Sequence, residues 1–390
     1  MDPLDMIEME DRYVLPTYAK LPLVLTRGEG AHVFDASGRR YLDLYGGHAV
    51  TVIGHSHPRW VEAVSRQAAT LGFYSSVSYS AVRAEAARLL VERSYPSMSQ
   101  VFFCNSGTEA NETALKMARK STGRPLVVAM EGGFHGRTIG ALSVTSGKYR
   151  QAFPENLADR TRFVPFGDLE AVRAVEPDRV AAVILEPVQS MAGVRIAAED
   201  YYRGLAAHCR ERGIVLIFDE VQTGAGRTGR WFAGDHFGVE PGLVTCAKGI
   251  GGGFPVGAVI ASAEMASRVE TGDQGSTFGG GPLASAAIVA TFRVLEEEEL
   301  VERAGRIGAR VLARLREMAG RGMVTGARGL GYLIGVDSKL SAKEVQSKLL
   351  ERGIVVGTSD VPRTFRLLPP LTVGEDDWET FFRALEDLAR

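Results

Sequence analysis

A lysine delivered into glycine-rich backbone by an apolar run has the makings of a reactive amine. In Leu243-Val-Thr-Cys-Ala-Lys248-Gly-Ile-Gly-Gly-Gly-Phe254 the apolar stretch reads as a buried strand that ends at Lys248. Burial disfavours the ammonium form, so Lys248 can act as an uncharged nucleophile toward an aldehyde. A lone strand-end lysine more usually lays its stem along the surface and keeps its charge in water. The rest of the chain has to decide between the two.

Several other segments join the lysine. Asn105-Ser106-Gly107-Thr108-Glu-Ala-Asn111 follows a strand and opens a helix. Ser106 and Thr108 supply hydroxyls, Gly107 lets backbone come close, and a helix N-terminus favours an anion, which together make a phosphate cup. The same residues also suit an ordinary N-cap, and no Walker-type phosphate loop occurs. Phe218-Asp219-Glu220-Val221-Gln222 follows the apolar run Ile214-Val-Leu-Ile217. A carboxylate at the end of a parallel strand lies where α/β sheets bind ligands, and facing a pyridine nitrogen it keeps that ring protonated as an electron sink. Without a nucleotide-type loop, the alternative of magnesium on Asp219 and Glu220 is the weaker one. Gly132-Gly-Phe134-His-Gly-Arg137 offers a ring that can stack on a cofactor and a guanidinium that can clamp a carboxylate; otherwise Phe134 is core and Arg137 a surface charge. Glu186 and Arg366 are charges set among apolar residues. Buried charges are costly alone, so the two are expected to pair. Together these residues fit pyridoxal 5'-phosphate as the aldehyde partner of Lys248.

Two motifs carry less. Gly224-Ala-Gly226-Arg-Thr-Gly229 fits a dinucleotide fingerprint formally, but no helical pattern opens after its third glycine. His55-Ser-His57-Pro58 has metal-like spacing without accompanying cysteines or carboxylates, so a turn and helix entry is expected.

The elements that position these residues read as α/β. Continuous apolar runs at Val101–Cys104, Leu126–Ala129, Ala181–Leu185, Ile214–Phe218, Leu243–Cys246 and Gly257–Ala261 alternate with helical segments, the pattern of a mostly parallel sheet covered on both faces. Residues 1–50 read as an arm and a hairpin, with strands at Ala31–Asp35 and Arg40–Leu44; residues 51–280 form the large domain. Residues 281–390 form a smaller α+β lobe that the hairpin joins. A long helix is expected after Pro282, burying Leu300, Ala304, Ile307, Val311, Leu315 and Met318, with Glu296–Glu299 as a solvated face.

The 390 residues are 45% hydrophobic and 24% charged, with a net charge of -2, which describes a soluble globular protein with no electrostatic case for nucleic acid or an anionic membrane. Three cysteines in apolar contexts point to a reducing cytoplasm. The acidic start Met1–Glu10 lacks the features of a signal peptide, and no run is long enough to span a membrane.

In this order, Gly54-His-Ser-His-Pro58, Asn105–Glu112, Phe134-His-Gly-Arg137, Glu186-Pro-Val-Gln189, Phe218–Gln222, Gly226-Arg-Thr-Gly229, Ala247-Lys248-Gly249, Ser276-Thr277-Phe-Gly279 and Arg366 before Pro369-Pro370 form a set that spans nearly the whole chain. With them the chain resembles the class III pyridoxal-phosphate aminotransferases, most closely the acetylornithine and ornithine aminotransferase branch. The resemblance implies a fold type I homodimer with shared sites. Lys248 would be joined to the cofactor as an imine and, once released, would move a proton between substrate and cofactor. Asp219 would pair with the ring nitrogen, with Glu220 and Val221 beside it among the cofactor-binding residues. Ser106, Gly107 and Thr108 would hold the phosphate, Phe134 would stack on the ring, and Gln222 would lie near the ring hydroxyl. Ser276 and Thr277 would reach the neighbouring subunit's site, Thr277 at its phosphate. Arg137 would take the remote substrate carboxylate, and Glu186 would cover Arg366 until a dicarboxylate arrives.

The implied reaction moves the terminal amine of an N-acylated diamino acid, N2-acetylornithine first, to 2-oxoglutarate, within arginine or lysine biosynthesis. Succinylornithine, ornithine, 4-aminobutyrate and a lysine precursor on an amino-group carrier protein are the other donors. A non-catalytic regulatory module of the same fold would be expected to lack Lys248 or Asp219, and both are present. Three departures bear on the donor. Ser190-Met191-Ala-Gly193 replaces the family's Gly-Glu-Gly-Gly, Tyr74–Ser76 lies in a segment without the usual Ser-Asn-aromatic pattern, and His48 is not the expected residue.

Overall fold

The computed structural model of the protein describes residues 3–151, 160–319 and 322–388; Met1 and Asp2 of the acidic start lie outside the described residues. The chain opens with a helix, Pro3–Tyr13, that buries none of its side chains. It continues into an antiparallel meander of β1 (Leu25–Glu29), β2 (His32–Asp35) and β3 (Arg40–Asp43).

The centre is a seven-stranded sheet built from β4 (Met98–Cys104), β5 (Leu126–Met130), β6 (Thr161–Val164), β7 (Val180–Leu185), β8 (Val215–Asp219), β9 (Leu243–Ala247) and β10 (Gly257–Ser262). Its order is β4-β10-β9-β8-β7-β5-β6. Every residue of β5, β7, β8, β9 and β10 is buried, which is why these strands read as unbroken apolar runs. β9, β8, β7, β5 and β6 pair in parallel, and only β10 runs against its neighbours β4 and β9. β4 therefore points the same way as the parallel strands. The carboxyl ends of β4, β9, β8, β7 and β5 share one edge, where an open α/β sheet binds ligands.

The remaining strands are β11 (Val324–Leu330), β12 (Leu333–Ser338), β13 (Ile354–Val355), β14 (Gly357–Thr358) and β15 (Thr364–Leu367). β13 pairs in parallel with β3, so the N-terminal meander and the C-terminal segment share a sheet. β11-β12-β15-β14 forms a second antiparallel sheet. In it Arg366 lies opposite Gly335 on one side and Gly357 on the other, which leaves lateral room for a long side chain.

The long helix expected after Pro282 is two helices, Pro282–Glu297 and Leu300–Met318, broken where Glu299 turns left-handed at φ 51°. The first packs against the helices Pro58–Thr70 and Ala81–Glu92. In the second, Leu300, Ala304, Ile307, Val311 and Leu315 form the buried stripe. The acidic run is ion-paired rather than merely solvated: Glu296 bridges Arg93, Glu297 bridges Arg59 at 2.6 Å and Glu298 meets His57 at 3.0 Å. His55 instead reaches Asp43 at 2.8 Å, so the two histidines of the His-Ser-His motif part, and Pro58 opens a helix. The glycines of the fingerprint-like motif serve packing. A Cβ on Gly229 would lie 2.5 Å from Gly305 Cα, so the left-handed turn there lets the Leu300–Met318 helix approach. Among the described residues no helix is long and apolar enough to cross a membrane. Cys104, Cys209 and Cys246 are free and buried.

Candidate active site

Lys248 directly follows β9 and has φ 47°, a left-handed conformation that non-glycine residues rarely adopt and that recurs at functional sites. Its Nζ makes no hydrogen bond or ion pair with the described residues. Desolvation lowers its pKa, while Asp219 and Glu186 pull it upward and Arg366 lowers it further. The amine is thus biased toward its uncharged form. Asp219, the last residue of the adjacent β8, is buried and held from three sides. Its Oδ2 accepts from Asn111 Nδ2 at 2.8 Å and meets His135 Nδ1 at 2.7 Å, and its Oδ1 accepts from the Val221 amide at 3.1 Å. Asn111 is itself fixed, donating to the His135 carbonyl at 2.7 Å and accepting from Thr245 Oγ1 at 2.7 Å. The carboxylate is therefore oriented before any ligand arrives.

At the end of β4 the N-cap reading of the Asn105–Asn111 segment is realised. Ser106 caps the helix Gly107–Thr122, accepting from the Glu109 amide and donating to the Glu109 carboxylate at 2.9 Å. Thr108 Oγ1 lies 2.8 Å from Thr138 Oγ1. The Gly107 and Thr108 amides have no intrahelical acceptor, and with the helix dipole they make the N-terminus favourable to an anion. Gly107 has a packing reason as well: a Cβ there would lie 2.8 Å from both methyl groups of Val221. Ser276 Oγ accepts from Asn105 Nδ2 of the same chain at 3.2 Å, while Thr277 is exposed.

Glu220 departs from its expected role beside the cofactor. Alternation along the strand turns it away from Asp219, and its carboxylate receives Tyr95 Oη, Thr223 Oγ1 at 2.5 Å and the amides of Ala233 at 2.8 Å and Gly234 at 3.2 Å. Burial raises its pKa against these hydrogen bonds. It is a buried anchor for the 233–236 turn. Glu220→Ala is expected to cost about 3–5 kcal/mol of stability by stranding several donors, and Tyr95→Phe about 1 kcal/mol. Both are read from thermal unfolding, with Michaelis constants unchanged.

Beyond β5, Phe134 is half-buried and meets Tyr149 edge-on at 5.2 Å. With Gly132, Gly133, Lys148, Tyr149 and Asp360 it lines a cavity of about 290 Å³. The Arg137 guanidinium lies 4.9 Å from the Tyr149 ring, 5.2 Å from Tyr18 and 6.0 Å from Phe134. Aromatic faces hold it while its N–H edges stay available for a carboxylate. His48, at φ 68°, meets Tyr45 Oη at 2.6 Å through Nδ1. Desolvation, then the charges of Arg366, Lys248 and Arg137, push its pKa down to about 4, so it faces the site as a neutral ring.

The expected pairing of Glu186 with Arg366 is not found. Glu186 Oε1 instead accepts from the Phe134 amide at 2.9 Å, and burial lifts its pKa to about 7. Arg366 finds neutral acceptors: Nε donates to the Thr358 carbonyl at 2.7 Å, and Nη1 to Ser190 Oγ at 2.9 Å and Gln222 Oε1 at 3.4 Å. A carboxyl pKa raised from 4.5 to about 7 means that the folded protein retains a proton that the unfolded chain has lost, so stability falls as pH rises through that window. Cofactor-free Glu186→Gln should gain on the unsubstituted protein by on the order of 3 kcal/mol between pH 4 and 8. Unfolding at the two pH values checks this, and a pH-independent difference would contradict it.

Asn111, His135 and Tyr18 belong to the site, and a reading of the sequence gives none of them a role. Asn111 had a signal: it lies one helical turn after Gly107, on the face that Ala114 and Ala118 bury against the sheet.

The assembled edge offers an amine biased toward neutrality, an oriented carboxylate, an anion-binding helix end and two guanidinium groups. The model of the family described as aminotransferase class-III matches residues 13–388. An acetylornithine aminotransferase of Methanopyrus kandleri is 46% identical over 99% of this chain and 99% of its own length. The ornithine aminotransferase of Toxoplasma gondii, in a structure reporting partial occupancy of PLP at the active site, superposes with a TM-score of 0.93 at 31% identity, covering 100% of this chain and 94% of that one. An acetylornithine aminotransferase from Elizabethkingia anophelis gives a TM-score of 0.88 at 29% identity, over 100% of this chain and 99% of that one. On the family match and these full-length likenesses, the chain belongs to the class III aminotransferases.

Proposed function

We propose that this aminotransferase uses pyridoxal 5'-phosphate to move the terminal amine of an N-acylated diamino acid, N2-acetylornithine first, to 2-oxoglutarate, giving a semialdehyde and glutamate in arginine or lysine biosynthesis. The relatives named above support the substrate class. The observation that carries the chemistry is the depressed pKa of Lys248 beside the buried, pre-oriented Asp219 at adjoining strand ends.

The residues fit the cofactor. The open amides of Gly107 and Thr108 suit its phosphate, Asp219 suits a protonated ring nitrogen, and Phe134 and Gln222 are the residues the family resemblance sets at the ring face and the ring hydroxyl. When bound, pyridoxal phosphate supplies the aldehyde that receives the amine and the electron-withdrawing ring that acidifies the neighbouring carbon. Lys248 Nζ takes the proton from the carbon that bears the transferred amine and returns it on the other side of the reaction, a task for a base whose pKa burial has lowered. Arg137 holds the carboxylate remote from that carbon, and Arg366 holds the α-carboxylate of the acceptor. Thr277 and Phe278 are exposed, the latter to 63%, and we assign them to contact with a second copy of the chain in a homodimer.

Mixing the yellow holoenzyme with each donor and following the loss of visible absorbance tests the substrate. N2-acetylornithine should give the largest second-order rate constant. Preference for succinylornithine, ornithine, 4-aminobutyrate or a carrier-bound lysine precursor would replace the donor, and failure of 2-oxoglutarate to restore the colour would overturn the acceptor.

A further inference from the structure

Arg366 is 1% exposed and carries a full charge, yet among the described residues no carboxylate lies within ion-pair distance of it. Glu186 is engaged with the Phe134 amide, and Asp360 is paired with Lys148 at 2.8 Å. The side chain is held instead by three uncharged oxygens. Of these, Ser190 Oγ at 2.9 Å is the only side-chain acceptor at ordinary hydrogen-bond length, Gln222 Oε1 being at 3.4 Å and the third being the Thr358 carbonyl. Arg366 Nη2 donates to nothing among the described residues.

Ser190 is suited to fix a partner. It is fully buried and sits in a turn whose backbone is over-determined. Its carbonyl accepts from both Gly193 and Val194, Gln189 and Arg195 exchange two backbone bonds at 3.0 Å, and Arg328 Nε ties the Gly193 carbonyl at 2.7 Å. Val194 is held at φ 59°, a conformation that a β-branched residue adopts only under constraint from its surroundings. The serine hydroxyl is thus delivered to Nη1 by backbone that cannot easily give. In the family pattern that the chain resembles, this position is a glycine, which has no side chain to offer.

We infer that Ser190 is the positioning residue for Arg366: a neutral clamp that aims the guanidinium at an incoming α-carboxylate and leaves no carboxylate in place that the acceptor would have to displace. The inference deepens the proposed acceptor role and rests on Arg366 being the α-carboxylate site. A clamp on Arg366 acts where the acceptor binds. The donor, whose carboxylate is assigned to Arg137, is affected little.

Glutarate binding to the holoenzyme, measured by calorimetry, tests the clamp without turnover, and steady-state kinetics test its consequence. Ser190→Ala should weaken glutarate binding and raise KM for 2-oxoglutarate by about tenfold, the scale of one hydrogen bond to a charged group. The donor KM should shift by less than about threefold, and Ser190→Thr, which keeps the hydroxyl, should recover most of the loss. Equal losses for donor and acceptor, no rescue by threonine, or unchanged glutarate binding in Ser190→Ala would overturn the clamp. If glutarate binds the unsubstituted protein and responds to Ser190→Ala but 2-oxoglutarate is not an acceptor, the acceptor reading falls and the clamp stands. If glutarate does not bind the unsubstituted protein at all, both fall.

Discussion

Lys248→Ala is expected to lose transamination by roughly ten-thousandfold or more while keeping its fold. The amine is the group assigned to move a proton at the reacting carbon, and a positioned acid–base group contributes on the order of 10²–10⁴ in rate by itself. Loss of its role as nucleophile adds to that. The fold should tolerate the change, because Lys248 Nζ makes no hydrogen bond among the described residues and alanine meets the same left-handed backbone at φ 47°. Single-turnover kinetics with saturating cofactor, with thermal unfolding as control, decide the matter. A variant with more than about one-hundredth of the original rate would show that the proton travels elsewhere.

Asp219→Asn should lower kcat by roughly 10²–10³, with a smaller loss of cofactor affinity, because a charge aimed at developing charge in a dry site is worth about that much. The substitution is nearly isosteric, but two donors, Asn111 Nδ2 at 2.8 Å and His135 Nδ1 at 2.7 Å, already point at Oδ2. A carboxamide must turn its oxygen toward them and its amino group toward the ring, where it can no longer keep the ring nitrogen protonated. The kinetics at saturating cofactor separate this from weak binding. An unchanged kcat would mean that Asp219 orients the ring without tuning it.

Much of this arrangement could be read from the chain because the chemistry sits at strand ends. A buried parallel strand announces itself as an unbroken apolar run, and the residue that ends it is displayed at the ligand-binding edge, so the sequence alone sets Lys248 and Asp219 at strand ends. Contacts between segments far apart in sequence were less legible. The cost of burying charge predicts that Glu186 pairs with Arg366, and the cost is real. It is met differently: Glu186 shifts its pKa to about 7, and Arg366 gathers neutral oxygens from three separate segments. The resemblance sets Glu220 among the cofactor-binding residues, whereas strand alternation sends neighbouring side chains to opposite faces. Ser190 was visible as a departure from the family pattern, but its partner lies 176 positions away on another sheet.

The central claim, that Lys248 is the residue joined to the cofactor aldehyde, is tested most directly by reducing the holoenzyme with borohydride and locating the modified peptide by mass spectrometry. The pyridoxyl group should lie on Lys248 alone and be absent after treatment of Lys248→Ala. A stable adduct on any other lysine, or none on a protein that has taken up the cofactor and is active, would contradict it.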